Sequence, residues 1–304
     1  MADSTAQAKS AVAEPTWGTQ LAWAEDTLAR ASSASPRLDA TVLLTHVVSA
    51  PPALLLALPE RLLSAAEATR YTRWVERRAA GEPVAYITGH QPFMGLDLVV
   101  DWRVSLVPPR MVWMVEAALE SLRSRPLQER GLLVGDIGTG CGAIALALGL
   151  FEPRIGHIYA VERSASALEV ARANGARYLL NLLISWLEGD TLDPLPEPVD
   201  LIVASLPYLR RELGQVAPAQ LAYEPSVALG SEEGFAHLDH LLAQAPAKLR
   251  PGGALLVALD AGRRPAVAQR LRAALPQAQI WFGPAHVDGD LFAVVQLPPP
   301  MRRP

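Results

Sequence analysis

The sequence predicts an α/β protein: a doubly wound, mostly parallel sheet covered by helices, preceded by a small helical bundle and a β-hairpin linker. Three observations carry that prediction. From Leu132 onward, short apolar runs and amphipathic stretches alternate regularly, which implies parallel strands joined by helices lying on both faces. At the head of this alternation, Leu132-Leu133-Val134-Gly135-Asp136-Ile137 runs into Gly138-Thr139-Gly140-Cys141-Gly142, as a buried strand does when it ends in a tight turn that a ligand can approach closely. Before it, apolar residues recur at helical spacing from Leu21 to Ala80 and then give way, past Gly81-Glu82-Pro83, to alternation with a period of two.

Size and charge bound the function. Half of the 304 residues are hydrophobic, enough for one large core and a smaller one. A formal charge of -4 gives no broad electrostatic grip on nucleic acid or anionic lipid, so neither is an expected partner. The opening Met1-Ala2-Asp3-Ser4-Thr5-Ala6-Gln7 lacks the basic and apolar regions of a secretory signal, and no apolar run spans a bilayer. A cytoplasmic location is therefore expected, and a monomer is the expected state. Cys141 is the single cysteine; it excludes an internal disulfide, offers a metal nothing to build on, and without a visible base beside it reads as a small packing residue. His237 and His240 lie three apart on an expected helix, but Asp239 points to another face, so no metal is expected there either.

Along the chain, residues 1–15 are small and polar and read as a disordered tail. Residues 16–82 form the helical domain: Leu21-Ala22-Trp23-Ala24 leads one segment, Leu38 to Val48 is a second, and Ala65 to Arg78 a third. Ser35-Pro36 and Pro51-Pro52 punctuate them, and Glu76-Arg77-Arg78 is expected to face water. Residues 83–106 read as the hairpin linker, with strands over Val84 to Gly89 and Phe93 to Val100. The α/β domain, 107–298, has expected strands at 132–136, 157–161, 182–187, 200–204, 253–259 and 291–297. Its expected helices lie near 143–150, 165–178, 234–248 and 264–275. Residues 299–304, rich in proline and arginine, read as a loose tail.

In open α/β sheets ligands gather at the carboxyl ends of the strands, and here those ends carry a coherent set. The first gives Asp136 and the glycines, the second Glu162, the third Gly189-Asp190-Thr191 and the fourth Ser205-Leu206-Pro207-Tyr208. Glycines that open the backbone, with a carboxylate able to grip ribose hydroxyls one strand away, point to a nucleoside-containing cofactor. A nicotinamide dinucleotide site would prefer its third glycine three positions after the second, whereas this spacing is Gly138-x-Gly140-x-Gly142. About 130 residues also precede the strand, which disfavours a simple dehydrogenase.

The run Asp136-Ile137-Gly138-Thr139-Gly140-Cys141-Gly142 resembles the first motif of the S-adenosylmethionine-dependent methyltransferases, whose turn wraps the amino-acid half of the cofactor. By that resemblance Glu162 holds the ribose, while Asp190, with Thr191 beside it, borders the adenine. Ser205-Leu206-Pro207-Tyr208 stands where enzymes that methylate planar nitrogen atoms carry Asn/Asp/Ser-Pro-Pro-Tyr/Phe. Pro36-Arg37-Leu38-Asp39-Ala40, Gly81 to Gly89, Phe93-Met94-Gly95-Leu96, Glu224 to Leu229 and Leu249 to Leu256 resemble the release-factor N(5)-glutamine methyltransferase family, also called HemK-like. The similarity covers residues 17–297 and implies a Rossmann-like methyltransferase. It further implies methylation of the glutamine in the Gly-Gly-Gln loop of a peptide chain release factor, with the helical domain helping to hold that protein.

The chain departs from the family pattern around one presumed cleft. Ser205 replaces an asparagine, offering one hydroxyl where a planar amide donates and accepts at once. Leu206 replaces a proline, restoring a backbone N–H and freeing φ, though its carbonyl can still accept a bond. Leu106-Val107-Pro108-Pro109-Arg110-Met111 stands where the family shows Ile-Pro-Arg-Pro-Glu-Thr-Glu, and Val257-Ala258-Leu259-Asp260 replaces Glu-Ile-Gly. Three readings follow: a glutamine methyltransferase in which Ser205 and the Leu206 carbonyl hold the amide and Tyr208 stacks on it, a binder that transfers no methyl group, and a methyltransferase of nucleic-acid bases.

Overall fold

The computed structural model describes residues 15–126, 128–206, 222–225, 235–283 and 290–299. The chain divides into two units, Met1–Thr88 and Gly89–Pro304.

The first unit is helical: α1 (Trp17–Arg30), α2 (Pro36–Val48), α3 (Pro52–Ala57), α4 (Ala65–Ala79) and α5 (Val84–Thr88). Thr16 and Ser64 begin α1 and α4 with reciprocal capping boxes, each side chain accepting a backbone N–H that the first turn leaves without a partner. Trp17, Leu28, Leu43, Leu44, Tyr71 and Val75 form its core, and the Tyr71 hydroxyl donates to the Ala40 carbonyl at 2.9 Å, so the buried phenol is not left unsatisfied. Two expectations are corrected. Arg78 does not face water: its Nε donates to Asp39 Oδ2 at 2.7 Å, both side chains are 11% exposed, and the Ser33 and Ser35 hydroxyls donate to the same carboxylate. Val84–Thr88, expected as the first hairpin strand, is a helix that buries Ile87. Pro83, whose fixed φ suits a first helical turn, accepts the Tyr86 and Ile87 N–H groups, and Val84 and Ile87 share a helix face at a spacing of three.

In the second unit the hairpin therefore starts later, as β1 (His90–Phe93) antiparallel to β2 (Leu96–Val99). Its two-residue turn, Met94 (φ 47°) and Gly95 (φ 80°), has the paired positive angles that match strand twist. Next comes α6 (Met111–Arg123), which the strand–helix rhythm did not foresee. The order is then β3 (Leu132–Ile137), α7 (Ala143–Phe151), β4 (Ile155–Glu162), α8 (Ala165–Arg177), β5 (Ile184–Glu188), β6 (Val199–Ala204), α9 (Ala236–Lys248), β7 (Leu249–Asp260), α10 (Arg264–Ala274), β8 (Gln279–Phe282) and β9 (Asp290–Gln296). Of the ambiguous apolar run at 182–187, expected as strand, Leu182-Leu183 form a turn and the strand runs from Ile184; β8 was not foreseen.

Among the described residues the sheet has seven strands in the order β5-β4-β3-β6-β7-β9-β8, parallel except for β9, which runs antiparallel to both neighbours. The chain enters at β3, moves out through β4 and β5, then crosses back to β6 on the other side of β3. That reversal opens a crevice at the carboxyl ends of β3 and β6. No described helix is long and apolar enough to cross a membrane.

One buried amide joins three parts of this unit. Asn174 of α8 accepts the Val99 N–H at 2.8 Å and donates to the carbonyls of Val99 and Cys141, each at 2.9 Å, which ties β2 to the glycine turn. Asn174→Ala strands these groups in a site closed to water, and is expected to lower unfolding free energy by about 2–4 kcal/mol in urea titration of the whole chain.

Candidate active site

The site is assembled at the crevice. After β3 the backbone turns through Gly138, Gly140 and Gly142, all at positive φ (76°, 55° and 88°). Gly138 also faces a steric limit: a Cβ there would lie 2.6 Å from the Ser205 carbonyl oxygen. The turn is anchored to β4 by the Gly138 and Thr139 N–H groups, which donate to the Val161 carbonyl at 2.9 and 3.0 Å. Ser205 is fixed alongside by its own N–H, which donates to the Ile137 carbonyl at 2.9 Å.

Behind the turn, Asp136 is fully buried. Its Oδ2 accepts from the Thr139 hydroxyl at 2.6 Å and the Ala145 N–H at 3.0 Å, while Oδ1 has no partner. Burial pushes its pKa up to about 7 against those two bonds, and the Glu162 charge adds to the rise. Cys141 is buried as well and its thiol is pushed up to about 12, mainly by burial. It is a packing residue with no thiolate to offer.

Glu162, at the end of β4, accepts from the Gly140 N–H at 3.2 Å and the Ser164 N–H at 3.1 Å, so its carboxylate is held beside the turn by two donors. The Gly189 N–H donates to the Glu162 carbonyl at 3.0 Å, which fixes the loop that carries Asp190 and Thr191. These strand ends enclose a cavity of about 430 Å³. Of the residues the sequence singles out, Gly138, Thr139, Gly140, Cys141, Glu162, Asp190, Thr191, Ser205 and Leu206 line it. Asp136 and Gly142 are not on its wall: Asp136 braces the turn and the start of α7 from behind, and Gly142 packs where a Cβ would meet the Trp186 ring at 3.0 Å. Pro207 and Tyr208 lie outside the described residues.

The sequence placed Leu106 to Pro108 around the cleft but gave no part to Trp102 to Ser105, and weighed His237 of α9 only as a metal ligand; all of these line the cavity. Asn174 was also overlooked, although Asn174-Gly175 is a pair of poor helix formers inside a helix, a signal that packing decides the residue. Among the described residues no cluster of His, Cys, Asp and Glu could hold a metal ion.

Comparison with known proteins sets this geometry in a family. Residues 19–89 match the family model of the PrmC N-terminal domain, and residues 117–220 that of the methyltransferase small domain. The chain is 38% identical over 255 residues to the release factor glutamine methyltransferase of Deinococcus radiodurans, covering 83% of this chain and 89% of that protein. The chain belongs to the release factor glutamine methyltransferase family. The Moorella thermoacetica relative of the same name is 39% identical over 240 residues, covering 78% of this chain and 83% of that protein. Among solved structures, the hMettl16 catalytic domain in complex with MAT2A 3'UTR hairpin 6 superposes with a TM-score of 0.54 at 15% identity, covering 78% of this chain and 84% of that one, and shares the fold alone. Membership bears out the resemblance drawn from the sequence and implies S-adenosylmethionine as methyl donor.

Two predictions test the turn. Gly138→Ala adds a Cβ at a positive φ and against the Ser205 carbonyl, so the β3–β6 contact must open; calorimetric affinity for S-adenosylhomocysteine is expected to fall at least about tenfold. For Asp136, the folded chain holds a proton between the ordinary 3.8 and about 7 that the unfolded chain has released, so this group's contribution to stability falls as pH rises through that window. Asp136→Asn stays neutral throughout, and its unfolding free energy relative to wild type is expected to rise by on the order of 2 kcal/mol between pH 5 and pH 8.

Proposed function

We propose that this chain transfers a methyl group to the side-chain amide nitrogen of a glutamine in a peptide chain release factor, within the Gly-Gly-Gln loop, acting as a cytoplasmic monomer. The observation that carries this reading is the shared cavity: Ser205, at the end of the strand beside the glycine turn, lines the same space as Glu162 and Asp190. The residues suit S-adenosylmethionine, because nothing lies within 4 Å of where a Gly140 Cβ would be and a fixed carboxylate stands next to that opening, while Gly138 lets the Ser205 backbone come close beside it. When bound, that cofactor supplies a methyl group made electrophilic by the adjoining sulfonium.

The chain's own residues bind and orient. The turn from Gly138 to Cys141 would hold the amino-acid half of the cofactor, with Asp136 and Gly142 setting the turn's shape from outside the cavity. Glu162 would accept from ribose hydroxyls, and Asp190 with Thr191 would border the base. An amide nitrogen is a poor nucleophile because its lone pair is delocalised, so positioning decides the rate. The Ser205 hydroxyl and the Leu206 carbonyl would hold the carboxamide, Tyr208 would stack on its plane, and Pro207 would keep that ring in register. Residues 16–82 would hold the release factor, with 83–106 as linker and 107–298 as the transferase.

One observation supports a second reading, a homologue that binds without turnover: Ser205-Leu206 offers a less specific grip than asparagine and proline. Labelled S-adenosylmethionine and a release factor decide between them. Label is expected on the wild-type reaction's Gly-Gly-Gln glutamine and not on a release factor with alanine there, and a Ser205→Asn, Leu206→Pro double variant is expected to be on the order of tenfold faster. Cofactor binding with no wild-type transfer, restored by the double variant, would sink the enzyme reading.

A further inference from the structure

We propose that His237 of α9 is a cofactor-binding residue, the planar wall against which the nucleobase packs; this rests on the cofactor reading above. Thr191 follows Asp190 in the loop after β5. Thr191 adopts φ 45°, unfavourable for a β-branched residue, and is 2% exposed. What holds it there is a hydrogen-bonded ring with α9. With His240 protonated on Nδ1, that nitrogen donates to Thr191 Oγ1 (3.1 Å), the Thr191 hydroxyl donates to Gln244 Oε1 (2.9 Å), and Gln244 Nε2 donates to His240 Nε2 (3.2 Å). Gln244 Oε1 also accepts the Leu192 N–H at 2.9 Å, and its Nε2 donates to Asp193 as well. Every polar atom of the Gln244 amide is thereby committed to the loop or to His240.

The ring has a consequence for the cavity. Neither His240 nor Gln244 lines it, so the Thr191 hydroxyl is engaged on the α9 side, away from any ligand. His237 stands one turn before His240 on the same face of α9 and does line the cavity, beside Gly189, Asp190 and Thr191. Its side chain is 20% exposed, and its Nδ1 lies 4.0 Å from Asp190 Oδ1, while Asp190 Oδ2 lies 3.8 Å from His240 Nδ1. Asp190 is thus bracketed by two imidazoles, one tied into the ring and one open to the cavity. Among the described residues the other aromatic ring on the wall is Trp102, whose neighbour Arg103 donates to Glu169 of α8. Among those residues, the ring next to Asp190 is the His237 imidazole. A carboxylate edge beside a flat ring is a site for a planar heteroaromatic base carrying an amino group, the carboxylate accepting from the amine and the ring covering one face.

Calorimetry on the full chain tests this with two ligands, S-adenosylhomocysteine and its deaminated counterpart S-inosylhomocysteine, which lacks the amine. His237→Ala and His237→Gln are expected to weaken both ligands by the same factor, about tenfold, and His237→Phe to stay within about threefold of wild type. Equal unfolding midpoints by circular dichroism identify the loss as local, and the phenylalanine variant keeps the comparison open should the alanine variant unfold. Unchanged affinity in both the alanine and glutamine variants overturns the proposal. So does a loss confined to the adenine ligand, because His237 would then act only through Asp190. If the wild-type chain binds neither ligand, the cofactor reading itself falls and the proposal with it.

Discussion

Where the sheet reverses direction, the Gly138 backbone and the Ser205 carbonyl lie so close that a single methyl-sized atom would collide at 2.6 Å. Much of the site depends on this contact. It forces glycine at the head of the turn, sets how near the end of β6 can come to the turn, and so determines that a group held at Ser205 and a group cradled by the glycines share one cavity. The sheet supplies the contact from both sides, through the Val161 carbonyl under the turn and the Ile137 carbonyl under Ser205. The separation across this part of the cavity is therefore fixed by paired backbone, which is stiffer than any side chain.

Around that contact the chain treats its acidic groups differently. Asp136 is sealed, left with one oxygen unpartnered, and pushed toward neutrality, so it serves as a structural bracket. Glu162 is held by two backbone donors beside the cavity, where it can still accept from a ligand. Asp190 sits between two histidines that belong to a different element. Only the last two line the cavity, so the three carboxylates of the strand ends divide into one that shapes the turn and two that face the cavity.

Much of the fold was legible because parallel strands buried on both faces leave unmistakable apolar runs, as β3, β4, β6 and β7 do. The cavity-lining residues at strand ends were legible for a related reason, since glycines and acids that break such runs stand out. The errors have physical causes. Val84-Ala85-Tyr86-Ile87 fits a period of two and a period of three, and the proline before it tips the balance to helix. Arg78 looked like surface charge because its partner, Asp39, lies 39 residues away. β8 is four residues long and half-exposed, too brief for a pattern. The ring around Gln244 was invisible for want of locality: Thr191 and Gln244 are 53 positions apart, and only the docking of α9 brings them together, the same docking that carries His237, weighed in the sequence only as a metal ligand, to the cavity.

The amide of Asn174 reaches the hairpin 75 positions upstream and the glycine turn 33 upstream, so its three bonds exist only once distant segments have met. Such long closures pay their entropy before they return any stabilisation, and belong late in folding. The glycine turn acquires this brace only once those distant segments have met. A ligand that requires the finished turn would then select completed molecules over partly folded ones and add its binding energy to their stability, making cofactor supply a factor in how much of the chain persists in a cell.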